Sequence, residues 1–152
     1  MKKSIILTIL TLILISGCGK DSSNTTLDTN DIADDMIEIS EKMFIAQLDD
    51  IYLNQSEYLN KTIRYEGIFE AYELGNTNSN QYHVFRRAPG CCGDDGQAGF
   101  TILWDGQTPA NNDWVEVTGT LQLHDDGNYE YLVIEAATLS TLPTRGQEFV
   151  TR

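Results

Sequence analysis

Residues 62–72, which read Thr-Ile-Arg-Tyr-Glu-Gly-Ile-Phe-Glu-Ala-Tyr, carry the clearest strand pattern of the chain. Ile63, Tyr65 and Ile68 are its apolar positions, and Gly67 interrupts them. Alternation of apolar and polar residues is typical of a half-buried strand, and a glycine in mid-strand often marks a bulge or sharp bend. The stretch therefore predicts a strand that is bent in its middle.

Further strand-like segments lie on both sides of this stretch. Residues 36–39 alternate weakly upstream and predict a short strand. Downstream, a Gly, Asn, Ser and Thr cluster predicts a turn, and the Asp-Gly turn at 124–128 predicts a hairpin. Four downstream strands are predicted, at residues 81–87, 99–104, 113–123 and 129–137.

One helix is predicted before the bent strand, over residues 40–54. Phe44, Leu48, Ile51 and Tyr52 recur at helical spacing and form one apolar stripe. Such a stripe is normally a packing surface, so we expect the helix to lie against the strands.

Together these elements predict a mainly β fold with one N-terminal helix. Five short strands in succession, one bent at a glycine, favour a small closed barrel of the oligonucleotide/oligosaccharide-binding (OB) type. A β-sandwich is the alternative, but it normally has about seven strands. The prediction is a five-stranded OB-like barrel occupying residues 36–152.

The N-terminus has the features of a bacterial lipoprotein signal. Lys2 and Lys3 precede an apolar run, and Ile15-Ser16-Gly17-Cys18 forms a lipobox. The run is shorter than the roughly 20 apolar residues of a spanning helix. We expect residues 1–17 to be removed and Cys18 to be acylated, which would hold the protein at the extracytoplasmic face of a membrane. A plain secretory signal is the alternative.

Residues 18–35 are polar and acidic, and they contain few large apolar side chains. Such a segment cannot bury enough surface to offset its ordering entropy, so a flexible tether is predicted. The whole chain is acidic too, with 10 Lys and Arg against 23 Asp and Glu. This balance argues against nucleic acid as a partner, because phosphate backbones are bound through Lys and Arg.

Cys91 and Cys92 are adjacent, in the segment Arg-Arg-Ala-Pro-Gly-Cys-Cys-Gly-Asp-Asp-Gly at 86–96. Neighbouring Cα atoms are about 3.8 Å apart, below the usual range for disulfide-bridged residues. The proline and glycines of the segment predict a tight loop that turns both thiols to one side. A metal site, a redox pair and a purely structural loop all remain open.

The candidate metal ligands are Cys91, Cys92, Asp95 and His83, and thiolate with imidazole suits zinc or copper. His124 could join them only if the barrel brings it close. Arg86 lies near the pair in sequence, so it could lower a thiol pKa. The structural alternative is that Arg86 and Arg87 form ion pairs with Asp94 and Asp95.

The sequence contains no nucleophile elbow, phosphate-binding glycine loop or H-E-x-x-H motif. We therefore expect a binding protein rather than an enzyme. The aromatic residues of the strands could form a stacking platform for single-stranded nucleic acid, but the acidity of the chain argues against it.

From about residue 37 to 139 the chain resembles the soluble C-terminal domain of the YcgQ-like family of permease subunits. The resemblance rests on the segments 58–63, 66–69 and 114–120, on Arg86 with Cys91-Cys92 five positions later, and on Asp95 and Gly99. It implies an OB-type barrel and a membrane-associated role beside a permease, with metal handling as one possibility. The transmembrane part of the family is replaced here by the lipobox.

The sequence thus predicts a lipid-anchored envelope protein that binds a metal or works beside a permease. The alternatives are an interaction module of an envelope assembly, in which the cysteine loop is structural, and a thiol-redox protein.

Overall fold

The computed structural model describes residues 36–73, 80–90 and 93–151 of the chain. Six strands and a short helical region make up this part. The strands are β1 (Met36–Glu38), β2 (Thr62–Glu73), β3 (Asn80–Gly90), β4 (Gly93–Leu103), β5 (Trp114–Asp125) and β6 (Glu130–Thr141). A 3₁₀ turn (Glu41–Met43) leads into helix α1 (Phe44–Leu53), and α2 (Gln55–Tyr58) follows.

Five of the strands close into a ring. Their order is β2-β3-β4-β6-β5, and β5 pairs again with β2. All neighbours are antiparallel except β4 and β6, and β1 adds to β2 in parallel outside the ring. The prediction of a mainly β, barrel-like fold with an N-terminal helix is confirmed, and the sandwich alternative is wrong because the described strands form a single closed ring.

Within the ring, strand β2 has two partners, and Gly67 lies where β2 passes from one to the other. Residues from Thr62 to Ile68 pair with β5, and residues from Ile68 to Glu73 pair with β3. A Cβ atom added at Gly67 would come within 2.7 Å of the Phe85 carbonyl oxygen. Gly67 therefore permits close approach of β3 where β2 passes from one ring partner to the other, and the predicted bend stays a prediction.

The helix covers part of the main core. Phe44, Leu48 and Ile51 are buried with the inward side chains of the strands. Tyr52, the fourth residue of the predicted stripe, is 43% exposed. Its ring nevertheless stacks on Phe100, and its hydroxyl donates to the Gly99 carbonyl at 3.0 Å.

The hairpin between β5 and β6 turns at the predicted Asp-Gly sequence. Gly127 has a φ of 88° there, and its amide donates to the Asp125 carboxylate at 2.7 Å. Glycine adopts this left-handed backbone without a steric penalty, so the turn residue and the turn geometry agree.

The loop predicted between the strands at 81–87 and 99–104 is wrong at its two ends. Strand β3 runs to Gly90 and β4 starts at Gly93, with Ala88 paired to Gly96 and Gly90 paired to Gly93. A Cβ added at Gly96 would lie 2.9 Å from the Ala88 carbonyl oxygen. The glycine therefore lies in a strand and allows the two strands to approach closely, and it does not lie in the predicted loop.

The C-terminal segment, residues 142–151, follows β6 and packs back on the ring. The Arg87 amide donates to the Glu148 carbonyl, and the Val150 amide donates to the Arg87 carbonyl, both at 2.8 Å. Val150 is buried in the main core. The segment thus lies along β3 beyond Phe85, where β3 no longer pairs with β2.

Within the described residues, no helix is long and apolar enough to cross a membrane. Residues 1–35, which contain the predicted signal and tether, lie outside the described part of the chain.

Candidate functional site: a buried arginine and an outer cleft

The predicted ligand set is not brought together by the described residues. Cys18, Cys91 and Cys92 lie outside the described part, and so does the Asp95 side chain, although its backbone belongs to β4. His83 lies in the middle of β3, seven residues before Gly90. At about 3.3 Å per residue the two are separated by roughly 23 Å, which is too far for His83 to share a metal with residues next to Gly90.

The other histidine does not complete a metal site in the structure. His124 lies on β5, with its ring 5.3 Å from that of Tyr131. Within the described part of the chain, no group of three or more His, Cys, Asp and Glu side chains is placed to hold a metal ion. A metal site at the cysteine pair stays a prediction, without His83.

Arg86 is the one buried charged residue among those described, and it is only 2% exposed. The burial of Arg86 follows from strand alternation, because Val84, Arg86 and Ala88 all face inward on β3. The guanidinium lies 4.8 Å from the ring centre of Phe44 and 5.0 Å from that of Trp114. Two aromatic faces therefore enclose the cation, an arrangement that stabilises it by cation–π attraction.

The polar partners of Arg86 come from three parts of the chain. Its Nε donates to the Glu66 carbonyl at 2.8 Å, and its Nη1 donates to the Gln147 carbonyl at 3.1 Å. The same Nη1 lies 3.3 Å from the Glu41 carboxylate. Arg86 therefore joins the 3₁₀ turn, strand β2 and the C-terminal segment.

The charges around Arg86 shift two pKa values. Burial lowers the pKa of the Arg86 guanidinium, and the carboxylates of Glu41 and Glu66 oppose that change. The Gln147 amide donates to Glu41 at 3.0 Å and, with Arg86, lowers the pKa of the Glu41 carboxyl. Among the described side chains, Glu41 is the carboxylate partner of Arg86, and this contact is a structural one. The side chains of Asp94 and Asp95 lie outside the described part, so their pairing with the arginines stays a prediction.

A second feature is a cleft of about 450 Å³ on the outside of the ring, hereafter the outer cleft. It crosses β3, β4 and the start of β6, and the end of α1 borders it. Its lining is Tyr52, Gln55, His83, Phe85, Gln97, Gly99, Thr101, Glu130, Tyr131 and Leu132. Small-molecule sites are typically about 300–1,000 Å³, so the outer cleft has the size of such a site.

The register of the strands places the polar side chains of the outer cleft. His83 pairs with Thr101 across β3 and β4, and Thr101 pairs in turn with Val133 of β6. The Gln97 side chain donates to the Tyr72 hydroxyl at 3.2 Å. Tyr72 also lies edge-on to His83, at 5.2 Å and 90°. These contacts fix the side chains at one end of the outer cleft.

The outer cleft has little charge. Among the described residues of the lining, Glu130 is the only carboxylate, and none is Lys or Arg. Burial lowers the pKa of the His83 imidazole, against the opposing effect of Glu70, so His83 is neutral at pH 7. Apart from the Glu130 carboxylate, the described lining therefore presents neutral hydrogen-bonding groups and aromatic rings.

Sequence reasoning proposed His83 as a metal ligand but did not identify the outer cleft. The signal for the cleft is present in the alternation: on β3 and β4 the outward positions carry His83, Gln97 and Thr101 in place of charged residues. The strand pattern alone does not show which of these outward side chains the helix leaves uncovered.

No curated protein matches the chain significantly. Among solved structures, the small single-stranded DNA-binding protein from Streptomyces coelicolor matches with 21% identity and a TM-score of 0.37, covering 57% of this chain and 98% of that one. The profile of the DUF1980 C-terminal domain matches residues 17–150, which is consistent with the YcgQ-like resemblance. Because that match spans most of the sequence, the chain belongs to the DUF1980 C-terminal domain family.

Proposed function

We propose that this protein is a lipid-anchored, non-enzymatic binding module of the bacterial cell envelope, and that the outer cleft is its ligand site. The observation that carries the binding role is the outer cleft itself, with its ordered polar side chains and aromatic rings. A few convergent polar groups in a concave, partly apolar site are characteristic of ligand binding. The lipobox and the acidic segment that follows it support the anchored location.

The binding role is tested by NMR with the isotope-labelled chain from residue 18 onward, carrying Cys18→Ser to prevent acylation. The probes are a fragment set containing sugars, amines, carboxylates, aromatic rings and nucleotides. We expect the chemical-shift changes to centre on the outer cleft and to weaken in Gln97→Ala. Gln107→Ala is the matched control, because Gln107 lies outside the lining of the cleft. Changes that scatter over the surface, or that persist in Gln97→Ala, would refute the role.

The membrane anchor has a separate test. Wild-type protein and Cys18→Ser are expressed in cells labelled with a fatty acid, and the membranes are separated from the soluble fraction. We expect label and membrane association in the wild type and neither in the variant. Label that persists in Cys18→Ser would remove the anchor from the proposal.

A metal site at Cys91 and Cys92 is the second candidate function. The pairing of Gly90 with Gly93 favours this site, because Cys91 and Cys92 are the only residues between these two glycines in the sequence. Zinc and copper are the metals that suit thiolate ligands. Such a site would need ligands from Asp95 or a partner, since His83 lies too far along β3.

The metal content of zinc- or copper-loaded wild type, Cys91→Ser/Cys92→Ser and His83→Asn distinguishes the possibilities. We expect the cysteine variant to lose metal and His83→Asn to retain it. Equal metal in all three proteins would exclude the cysteine site. Counting thiols before and after reduction then separates the thiol-redox alternative, which requires a pair that cycles.

A permease partner follows only from the family resemblance. Cross-linking of the anchored protein in intact membranes, followed by mass spectrometry, tests it. Recovery of a permease supports the partnership, and recovery of monomer alone counts against it.

A further inference from the structure

We propose that the outer cleft binds a segment of a neutral oligosaccharide. The inference rests on the proposed binding role of the cleft and names its ligand class. Three independent properties of the described residues support it: the mixture of hydrogen-bonding groups, the paired aromatic rings, and the charge.

The polar groups of the outer cleft suit hydroxyl-rich ligands. The Gln97 amide both donates and accepts, the Thr101 hydroxyl does the same, and the Glu130 carboxylate accepts. Neutral His83 adds one donor and one acceptor. A sugar hydroxyl is itself a donor and an acceptor, so it can use either kind of group at each position. A ligand with only acceptors would leave Glu130 without a partner.

The aromatic groups supply an apolar face beside these polar groups. Tyr131 lines the outer cleft, and its ring lies 5.3 Å from His124 and 5.9 Å from Tyr129. Neighbouring rings at these distances restrain one another. A restrained tyrosine ring with a polar tip offers a flat surface for the C–H face of a sugar ring and a hydroxyl for its edge.

The charge of the outer cleft distinguishes between the two kinds of polymer that barrels of this type bind. OB-type barrels bind oligonucleotides and oligosaccharides on the face formed by their second and third strands. In this ring the second and third strands are β3 and β4, which carry most of the polar lining. Oligonucleotides need Lys or Arg to neutralise phosphate, and the part of the lining that the structure describes contains neither. The oligosaccharide is the ligand that remains.

An organic cation fits the outer cleft less well. Cation sites of the aromatic-cage type place ring faces around the charge. In this cleft the Tyr52 ring stacks on Phe100, and Glu130 is the single carboxylate among the described lining residues. A cation would leave the Gln97 and Thr101 donors facing a positive charge.

The test titrates chitotetraose, maltohexaose, spermine and a 15-nucleotide oligothymidylate into the Cys18→Ser chain from residue 18 onward, by calorimetry and NMR. We expect saturable binding of at least one neutral oligosaccharide, with a dissociation constant of about 1 mM or tighter. Tyr131→Ala and Gln97→Ala weaken it at least tenfold, whereas Gln107→Ala leaves it unchanged. Tyr131→Phe, which keeps the ring, retains most of the affinity and controls for folding.

Absence of binding by both oligosaccharides at about 10 mM would overturn the inference for a folded protein. Binding of spermine or oligothymidylate in the outer cleft, with neither sugar bound, would also overturn it. In both cases the fragment experiment described above still decides the binding role, because that experiment includes the other chemical classes.

Discussion

Replacement of Arg86 should destabilise the fold far more than replacement of its neighbour Arg87. Arg86 is 2% exposed, lies between the rings of Phe44 and Trp114, and donates to the carbonyls of Glu66 and Gln147. Arg87 lies on the opposite side of β3, with a side chain 44% exposed and 3.8 Å from Glu148. The two arginines therefore form a matched pair that differs in burial.

The magnitude follows from the groups that each substitution leaves behind. Arg86→Met keeps an apolar stem between the two rings but leaves two carbonyls without their donor, at about 1–3 kcal/mol each. It also leaves the Glu41 carboxylate without its cation. The Glu41 side chain is 46% exposed and stays solvated, so the two carbonyls and the lost cation–π contacts set the loss, which we expect at about 3–5 kcal/mol. Arg87→Ala removes an exposed ion pair worth about 0–1 kcal/mol.

Arg86→Lys provides a finer test. An ammonium group keeps the charge but cannot reproduce the fixed fork that reaches both carbonyls. Loss of one charged hydrogen bond predicts about 2 kcal/mol, between the values for the other two variants.

The measurement is urea unfolding of the chain from residue 18 with Cys18→Ser, followed by tryptophan fluorescence and circular dichroism. Domains of this size have unfolding free energies of about 5–15 kcal/mol, so the loss expected for Arg86→Met is large. Amide exchange at Val150 adds a local measurement, because its amide donates to the Arg87 carbonyl. An Arg86→Met variant within about 1 kcal/mol of Arg87→Ala would refute the structural role of Arg86.

Three further predictions concern the core and the acid limit of stability. Tyr65→Phe should lower the free energy of unfolding in urea by about 1–3 kcal/mol. The reason is that the buried hydroxyl donates to the Val84 carbonyl at 2.7 Å and accepts from the Phe100 amide at 3.2 Å. A loss equal to that of Tyr58→Phe would contradict this. Val150→Ala should lower the free energy of unfolding by about 2 kcal/mol and Phe149→Ala by much less, since Val150 is 3% exposed and Phe149 is 47% exposed. Equal losses would show that the C-terminal segment does not pack as described. The pKa of the Glu41 carboxyl is lowered in the folded protein, so its contribution to the free energy of unfolding is present above the unfolded-state pKa of about 4.3 and is lost as the pH falls through the lower folded-state pKa. Glu41→Gln should therefore make the decrease of the unfolding free energy in acid shallower. An unchanged decrease in acid would exclude this role.

The strand pattern predicted the ring because alternation is a local property that tertiary contacts rarely override. The strand around Gly67, the Asp-Gly hairpin and the apolar stripe of the helix were all readable in this way. The first half of β4 was missed, since Gly93–Gln97 is rich in Gly and Asp, which are poor strand formers. Its pairing with β3 holds these residues in a strand regardless of their propensity.

The role of Arg86 could not be predicted from its neighbourhood in the sequence. Its partners Glu41 and Gln147 are 45 and 61 residues away, and only the folded chain brings them together. The one available signal was that Arg86 occupies an inward position between Val84 and Ala88. The outer cleft was missed for a similar reason, because three strands and a helix contribute to it.

The closure of the ring by β2 and β5 sets an order on folding. The hairpins β3–β4 and β5–β6 join residues that are close in sequence, whereas Ile63 pairs with Gly119, 56 positions later (119 − 63). Local pairs form early, and distant pairs must first overcome the entropy of closing a long loop. A chain that emerges from its N-terminus therefore keeps one side of β2 unpaired until β5 has also emerged, and that interval is when the protein is most open to aggregation and proteolysis.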